Sequence, residues 1–237
     1  MKKGTLYLVP VALSTHLPSA QTPPGTRELV LRLRHFVAEN AKSARVWLRQ
    51  LDAAFPLQDA TIHVLNEHSL PKDLPSLLAP AEAGQDIGLM SEAGCPGVAD
   101  PGADLVALAH KTGIKVAPLI GPSAIVLALM ASGLDGQHFA FHGYLPQRPA
   151  EREAKLKELE QRSKRNRETQ IFIEAPYRNS AMLESILASC ATTTSLCLAT
   201  DLTAATEFTL TRTIGDWRHH RMEVDRRPTV FLLLAAT

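Results

Sequence analysis

Short apolar runs alternate with amphipathic segments along the first half of the chain. The runs with the length and composition of buried strands are Thr5–Val9, His35–Ala38, Thr61–Leu65, Asp86–Met90 and Ile114–Ala117. Between them, segments such as Asn40–Asp52 and Ala103–Lys111 have apolar residues at helical spacing. Strands that alternate with helices predict a mostly parallel sheet with flanking helices.

The second half has a different pattern. Its strand-like segments are Phe139–His142, Thr169–Glu174, Leu196–Thr200, Glu207–Thr213 and Thr229–Leu234. No long helical segment separates the last two, which favours a mixed, partly antiparallel sheet. The sequence therefore predicts an α/β protein of two α/β domains, residues 1–119 and 120–237, divided near Pro118–Pro122.

Two loops rich in Gly and Pro are the most informative feature of the pattern. Ser91–Gly102 and Gly121–Ala124 each follow an apolar run and precede a helical segment. Loops at the carboxyl ends of strands bind ligands in open α/β sheets, and Gly lets the backbone approach a ligand closely. Two ordinary β–α turns are the alternative interpretation.

Composition narrows the class of protein. With 25 basic and 24 acidic residues, the net charge is +1, which argues against a strongly basic nucleic-acid binder but leaves local contact with RNA open. Cys95, Cys190 and Cys197 have no metal-ligand spacing and form no even disulfide set, so we expect reduced thiols, a cytoplasmic location and no metal site. No run approaches the roughly 20 apolar residues of a membrane span.

The loop SEAGCPGVADPG (Ser91–Gly102), followed by PLIGPSA (Pro118–Ala124), resembles the tetrapyrrole methylase superfamily of S-adenosylmethionine-dependent methyltransferases. The chain is most similar to the branch that methylates a ribose 2′-hydroxyl of small-subunit ribosomal RNA. FHGYLPQR (Phe141–Arg148), IEAPYR (Ile173–Arg178) and ATDLT (Ala199–Thr203) continue the resemblance in the right order. It implies S-adenosylmethionine as cofactor, a ligand cleft between the two domains and a homodimer.

The resemblance also implies two groups of residues that contact the methyl donor. The first group is Pro10, Met90, Ser91, Glu92, Ala93, Val98, Ser123 and Ala124. The second group is Tyr144, Leu145, Pro176, Tyr177, Leu202 and Thr203. Ser123 and Ala124 open a helical segment, where backbone N–H groups are available, and Ser123 also suits helix capping alone.

A hydroxyl acceptor needs a group that takes its proton. The candidates are Glu39, Asp100, His142 and Glu174. Glu39 is the predicted catalytic residue, because it ends a strand and matches an acidic residue of the superfamily; a cap for the following helix is the alternative role. For Asp100 we favour bracing of its loop, and for Glu174 orientation of the next loop, with a salt bridge to Arg178.

Departures from the superfamily pattern leave the acceptor open. Pro10-Val11-Ala12-Leu13 replaces a Pro-Ile-Gly-Asn type of motif, and Glu39-Asn40-Ala41-Lys42 replaces an acidic pair followed by Thr and Arg. Bases that suit RNA phosphates are Arg32, Arg34, Lys42, Arg45, Arg49, Lys164 and Arg165. The function predicted first is methylation of ribosomal RNA. The alternatives are methylation of a tetrapyrrole or other small molecule, and binding of the donor without catalysis.

Overall fold

The computed structural model describes residues 2–16, 18–220 and 222–236. The chain divides into two compact units, Met1–Ser123 and Ala124–Thr237. The division predicted from the sequence lies between residues 119 and 120.

The first unit contains a five-stranded parallel sheet. Its strands are β1 (Thr5–Val9), β2 (His35–Ala38), β3 (Thr61–Val64), β4 (Ile87–Met90) and β5 (Lys115–Pro118). They are ordered β3-β2-β4-β1-β5, and every pair is parallel. The predicted parallel sheet is confirmed, and all five carboxyl ends share one edge.

Helices cover both faces of this sheet. They are α1 (Pro24–Arg32), α2 (Ala41–Leu51), α3 (Leu74–Leu77), α4 (Ala79–Glu82) and α5 (Gly102–Lys111), with 3₁₀ turns at Pro18–Gln21, Leu57–Asp59 and Pro71–Asp73. Adjacent strand residues point to opposite faces. Phe36 accordingly packs in a cluster with α1 and α2, whereas Val37 packs in a cluster with α3, α4 and α5.

The second unit contains a mixed sheet. Its strands are β6 (Phe139–Tyr144), β7 (Thr169–Ile173), β8 (Ser195–Thr200), β9 (Phe208–Thr213) and β10 (Thr229–Leu234). The order is β6-β7-β10-β8-β9; β6 and β7 are parallel and the other pairs are antiparallel. The predicted mixed sheet is confirmed.

The last strand, β10, lies at the centre of that sheet. The helices of the unit are α6 (Ala124–Ser132), α7 (Pro149–Asn166), α8 (Asn179–Ser189) and α9 (Ile214–Trp217), with a 3₁₀ turn at Pro176–Arg178. Phe231 of β10 stacks on Phe172 of β7 at 5.6 Å between ring centroids, and both rings are fully buried. None of the helices in the described part of the chain has the length and apolar character needed to cross a membrane.

Phe231→Ala should lower the free energy of unfolding by about 3–5 kcal/mol, because it leaves a cavity beside Phe172. Urea denaturation followed by circular dichroism measures the loss. Phe139→Ala is the control, since Phe139 starts the edge strand β6 and is 45% exposed. Equal losses in the two variants would contradict the central role of β10.

Candidate functional site

Three loops meet at the carboxyl edge of the parallel sheet. Because β1 lies between β4 and β5, the loops that follow these strands are neighbours. Val11 and Gly94 exchange two backbone hydrogen bonds, each 2.9 Å long. The Cys95 thiol lies 3.4 Å from the carbonyl oxygen of Pro122. The two Gly/Pro-rich loops found in the sequence therefore lie together in the first unit.

The close approach of Gly121 to Pro10 explains why glycine occupies position 121. A Cβ atom at Gly121 would lie 2.3 Å from the Cβ atom of Pro10. No side chain fits at that distance, so glycine is required for the close approach of the two loops. Pro10 and Ser123, both predicted donor contacts, are thereby brought to the same edge.

Asp100 braces loop 91–102. Its two carboxylate oxygens accept hydrogen bonds from the backbone N–H of Gly97, both at 2.9 Å, and Oδ1 also accepts from Gly102 at 2.7 Å. The bracing role favoured from the sequence is confirmed. Burial raises the pKa of Asp100, while these hydrogen bonds oppose the rise.

Glu39 is anchored to the same loop. The backbone N–H of Glu92 donates to Glu39 Oε1 at 3.0 Å. Burial raises the pKa of Glu39, the Glu92 hydrogen bond opposes that rise, and the nearby charges of Asp100 and Glu92 add to it. The alternative role as a helix cap is wrong, because Asn40 Oδ1 caps α2 by accepting from the N–H groups of Lys42 and Ser43.

A cavity of about 440 Å³ opens at this sheet edge, and Glu92, whose backbone N–H binds Glu39, lines it. Its walls are residues 11–15, α2 and residues 90–93. Met90, Ser91, Glu92 and Ala93, four of the predicted donor contacts, line it. Val98 lies elsewhere on loop 91–102 and is half exposed.

Gln21 holds one wall of the cavity and was not predicted from the sequence. Its side-chain oxygen accepts from the backbone N–H of Leu13 at 2.8 Å, and its amide donates to the carbonyl oxygens of Ser14 and His16 at 3.3 and 2.9 Å. In the sequence, Gln21 stands out only as a polar residue within a Pro-rich segment.

The predicted contacts of the second unit also share one sheet edge. Tyr144 ends β6, Pro176 and Tyr177 lie in the turn after β7, and Leu202 and Thr203 follow β8. The strands β6, β7 and β8 run in the same direction, so their carboxyl ends coincide. The side chains of Leu145 and Leu202 are buried, which leaves only their backbone for a ligand.

Glu174 and Arg178 fix the turn after β7. Glu174 Oε1 accepts from the backbone N–H of Ala175 at 2.7 Å and from Arg178 Nε and Nη2 at 2.9 and 2.6 Å. The salt bridge favoured from the sequence is confirmed. The Arg178 guanidinium lies 5.2 Å from the centre of the Tyr177 ring and restrains it.

The His142 ring is held by a side chain of the neighbouring strand β7. Its Nε2 lies 2.7 Å from Gln170 Oε1, and burial lowers the pKa of the ring.

Arg227 joins two loops of the second unit, and it was not predicted either. Its Nε donates to Asp201 Oδ2 at 2.8 Å and its Nη2 to the carbonyl oxygen of Thr206 at 2.7 Å. The neighbouring backbone of Arg226 donates to the carbonyl oxygen of Pro176 at 2.9 Å. Asp201 and Thr203 have positive φ angles of 50° and 72°, a conformation that needs such support.

These features define an α/β protein whose two sheets each gather loops at one carboxyl edge, the usual ligand-binding position of such folds. Residues 32–217 match the family of tetrapyrrole (corrin/porphyrin) methylases. This chain therefore belongs to the tetrapyrrole methylase family and is a methyltransferase.

Curated relatives carry the name ribosomal RNA small subunit methyltransferase I. The protein of Escherichia coli O157:H7 is 31% identical over 205 residues, which are 86% of this chain and 68% of that protein. The protein of a Synechocystis species is 32% identical over 200 residues, 84% and 67% of the respective chains. That of Halalkalibacterium halodurans is 35% identical over 188 residues, 78% of this chain and 60% of that protein.

A solved structure confirms the fold. The crystal structure of the methyltransferase CobJ superimposes with a TM-score of 0.67 over 98% of this chain and 95% of that chain. The two sequences are 17% identical, so the likeness concerns the fold alone.

Asp100→Ala should destabilise the protein by about 1–3 kcal/mol, because it leaves the N–H groups of Gly97 and Gly102 without their acceptor. Asp104→Ala is the matched control, since Asp104 is exposed in the first turn of α5 and contributes at most about 1 kcal/mol through the helix dipole. Chemical denaturation of both variants gives the comparison. Equal stability of the two would remove the bracing role.

Proposed function

We propose that this methyltransferase transfers the methyl group of S-adenosylmethionine to a ribose 2′-hydroxyl of small-subunit ribosomal RNA. The names of the curated relatives support the acceptor, which is printed for those proteins. The observation that carries the proposal is the hydrogen bond between Glu39 and the N–H of Glu92, because it holds a carboxylate beside loop 91–102.

The residues present fit the methyl donor. Ala93 and Val98 expose small or apolar surface on loop 91–102, and Tyr144 and Tyr177 expose 57% and 67% of their surface at the edge of the second sheet. A flat adenine ring stacks favourably on an aromatic face. We propose that the donor binds the two groups of residues that the resemblance implied. When bound, it supplies a methyl group already activated by a sulfonium.

The protein's own task is then to position the acceptor and take its proton. Glu39 is the group proposed to accept the hydroxyl proton, because burial has raised its pKa and made it a stronger base. Asp100 and Glu92 help, since their negative charges also raise the pKa of Glu39.

Calorimetry with S-adenosylmethionine and its demethylated product tests donor binding. Radiolabelled donor, incubated with ribosomal RNA and with small-molecule fractions, tests the acceptor. Label in RNA supports the proposal. Label only in small molecules would replace the acceptor, and donor binding without transfer to either fraction would indicate a non-catalytic protein.

Glu39→Gln should reduce methyl transfer by about 10²–10⁴-fold, because the variant keeps the size of the side chain but loses the base. Activity of the native protein should rise as pH increases through the raised pKa of Glu39, and the variant should lack that rise. Glu67→Gln, an exposed change in the same unit, is the control.

The same pKa shift predicts the effect on stability. The folded state binds the Glu39 proton more tightly than the unfolded state, so this group's stabilising contribution is lost as pH rises through its raised pKa. The free energy of unfolding of the native protein should therefore fall relative to Glu39→Gln across that window.

Unchanged methyl transfer by Glu39→Gln would show that another residue is the base.

We also propose a homodimer in the cytoplasm. The three cysteines are free thiols, which suits a reducing compartment. The helix α6 has no charged residue, and Val126 and Met130, one turn apart, are 50% and 73% exposed. An exposed apolar helix face favours association with a second copy.

Met130→Glu should shift the protein towards the monomer, because the charge would be desolvated in an interface through α6. Light scattering at tens of micromolar protein measures the mass. Leu70→Glu is the control, since Leu70 is an exposed apolar residue of the first unit. A monomeric native protein would contradict the proposed dimer.

A further inference from the structure

The exposed face of α2 carries three cations in one row. Lys42, Arg45 and Arg49 are spaced three and four residues apart and therefore lie on one side of the helix. The row extends for about 10 Å along the axis. The opposite side of the helix packs in the core through Trp47 and Leu48. These three side chains form the α2 basic face.

No acid of the same helix balances the charge of this face. The helix Ala41–Leu51 contains no Asp or Glu, and within the described residues none of the three cations makes an ion pair. Arg45 donates to the carbonyl oxygen of Ala41, and Arg49 donates to that of Ala53.

On α7, by contrast, acids accompany the bases. Lys155 pairs with Glu158 and Arg162 with Glu168, each at 2.7 Å. In a chain with a net charge of +1, the α2 basic face is a local excess of positive charge.

The α2 basic face borders the cavity of the first unit. Lys42 lines the cavity together with Ser43, Val46 and Gln50 of the same helix. The Ser43 hydroxyl donates to Glu92 Oε2 at 3.3 Å, and Glu92 and Lys42 both line the cavity, so one carboxylate and one cation border the opening. A polyanion is attracted by α2 and repelled by the carboxylates of Glu39 and Glu92.

We propose that the α2 basic face binds the phosphate backbone of the acceptor RNA and directs a nucleoside into the cavity, with its ribose towards Glu39. The inference rests on the proposed function, since it assigns the acceptor surface of that site. A row of cations suits a repeated phosphate better than it suits the carboxylates of a single small molecule. The reverse orientation would place phosphates against Glu39 and Glu92, at an electrostatic cost.

The test is the salt dependence of binding to purified small-subunit ribosomal RNA. The variant Lys42→Gln/Arg45→Gln/Arg49→Gln should bind at least tenfold more weakly at low salt. Its slope of log affinity against log salt should be smaller by about 2, at about 0.7 per lost phosphate contact on single-stranded RNA. Arg45→Gln alone should reduce the slope by about 0.7.

The matched control is Lys157→Gln/Lys164→Gln/Arg165→Gln, which removes the same charge from exposed positions of α7. Its affinity and slope should stay close to those of the native protein. Equal losses in the two triple variants would overturn the inference, because net charge alone would then explain them. A larger loss in the α7 variant would overturn it as well.

Two further measurements distinguish failure of this inference from failure of the proposed function. Calorimetry should give the same S-adenosylmethionine affinity for Arg45→Gln/Arg49→Gln, which leaves the lining of the cavity intact, as for the native protein, and a loss there would overturn the assignment of the face to RNA. If the native protein transfers no methyl group to RNA, the proposed function fails, while the salt slope still decides whether α2 binds RNA. Transfer to a small molecule at an unchanged rate in the α2 variant would overturn the acceptor role.

Discussion

The candidate site of the first unit depends on the two backbone hydrogen bonds between Val11 and Gly94. They join the loops after β1 and β4 directly to each other. Glu39 bonds to the same loop through Glu92, and Asp100 fixes its far end. Because each loop is held by another, a ligand meets a preformed surface and less ordering entropy opposes its binding.

This arrangement gathers Glu39, Glu92 and Asp100 near the sheet edge, where burial and, to a smaller extent, the charges of Asp100 and Glu92 raise the pKa of Glu39. A cluster of like charges lowers stability, and such clusters are typical of functional sites. Lys42, Arg45 and Arg49 lie on the neighbouring helix and are not paired with these acids. The positive charges of α2 and the negative charges of these carboxylates are therefore not neutralised by each other. An extended anion is attracted by the first group and repelled by the second.

The strands of both sheets were predictable because each is a short run that contains apolar or β-branched residues, and this signal is local. In the first unit, their bounds moved by one residue at most. Gln21 and Arg227 were not predictable. Arg227 gains its role from Asp201, 26 residues away in the chain, and nothing in the local sequence marks that pairing. The N-cap of α2, by contrast, was predictable from the local preference for Asn at this position. The capping role considered for Glu39 belongs to its neighbour Asn40.

The departures from the superfamily pattern fall where the fold supplies substitutes. In the first loop, Ala12 and Leu13 stand where the resemblance expects Gly and Asn, and a side chain of the next segment, Gln21, binds Leu13 and the carbonyl oxygens beyond it. Leu13 also approaches Gly94, where a Cβ atom would lie only 3.3 Å from Leu13 Cδ2. The loop conformation is thus set by an amide from outside the motif and by apolar contact. Ala12 and Leu13 thus line the cavity in place of Gly and Asn, while the contacts that shape loop 91–102 remain in place.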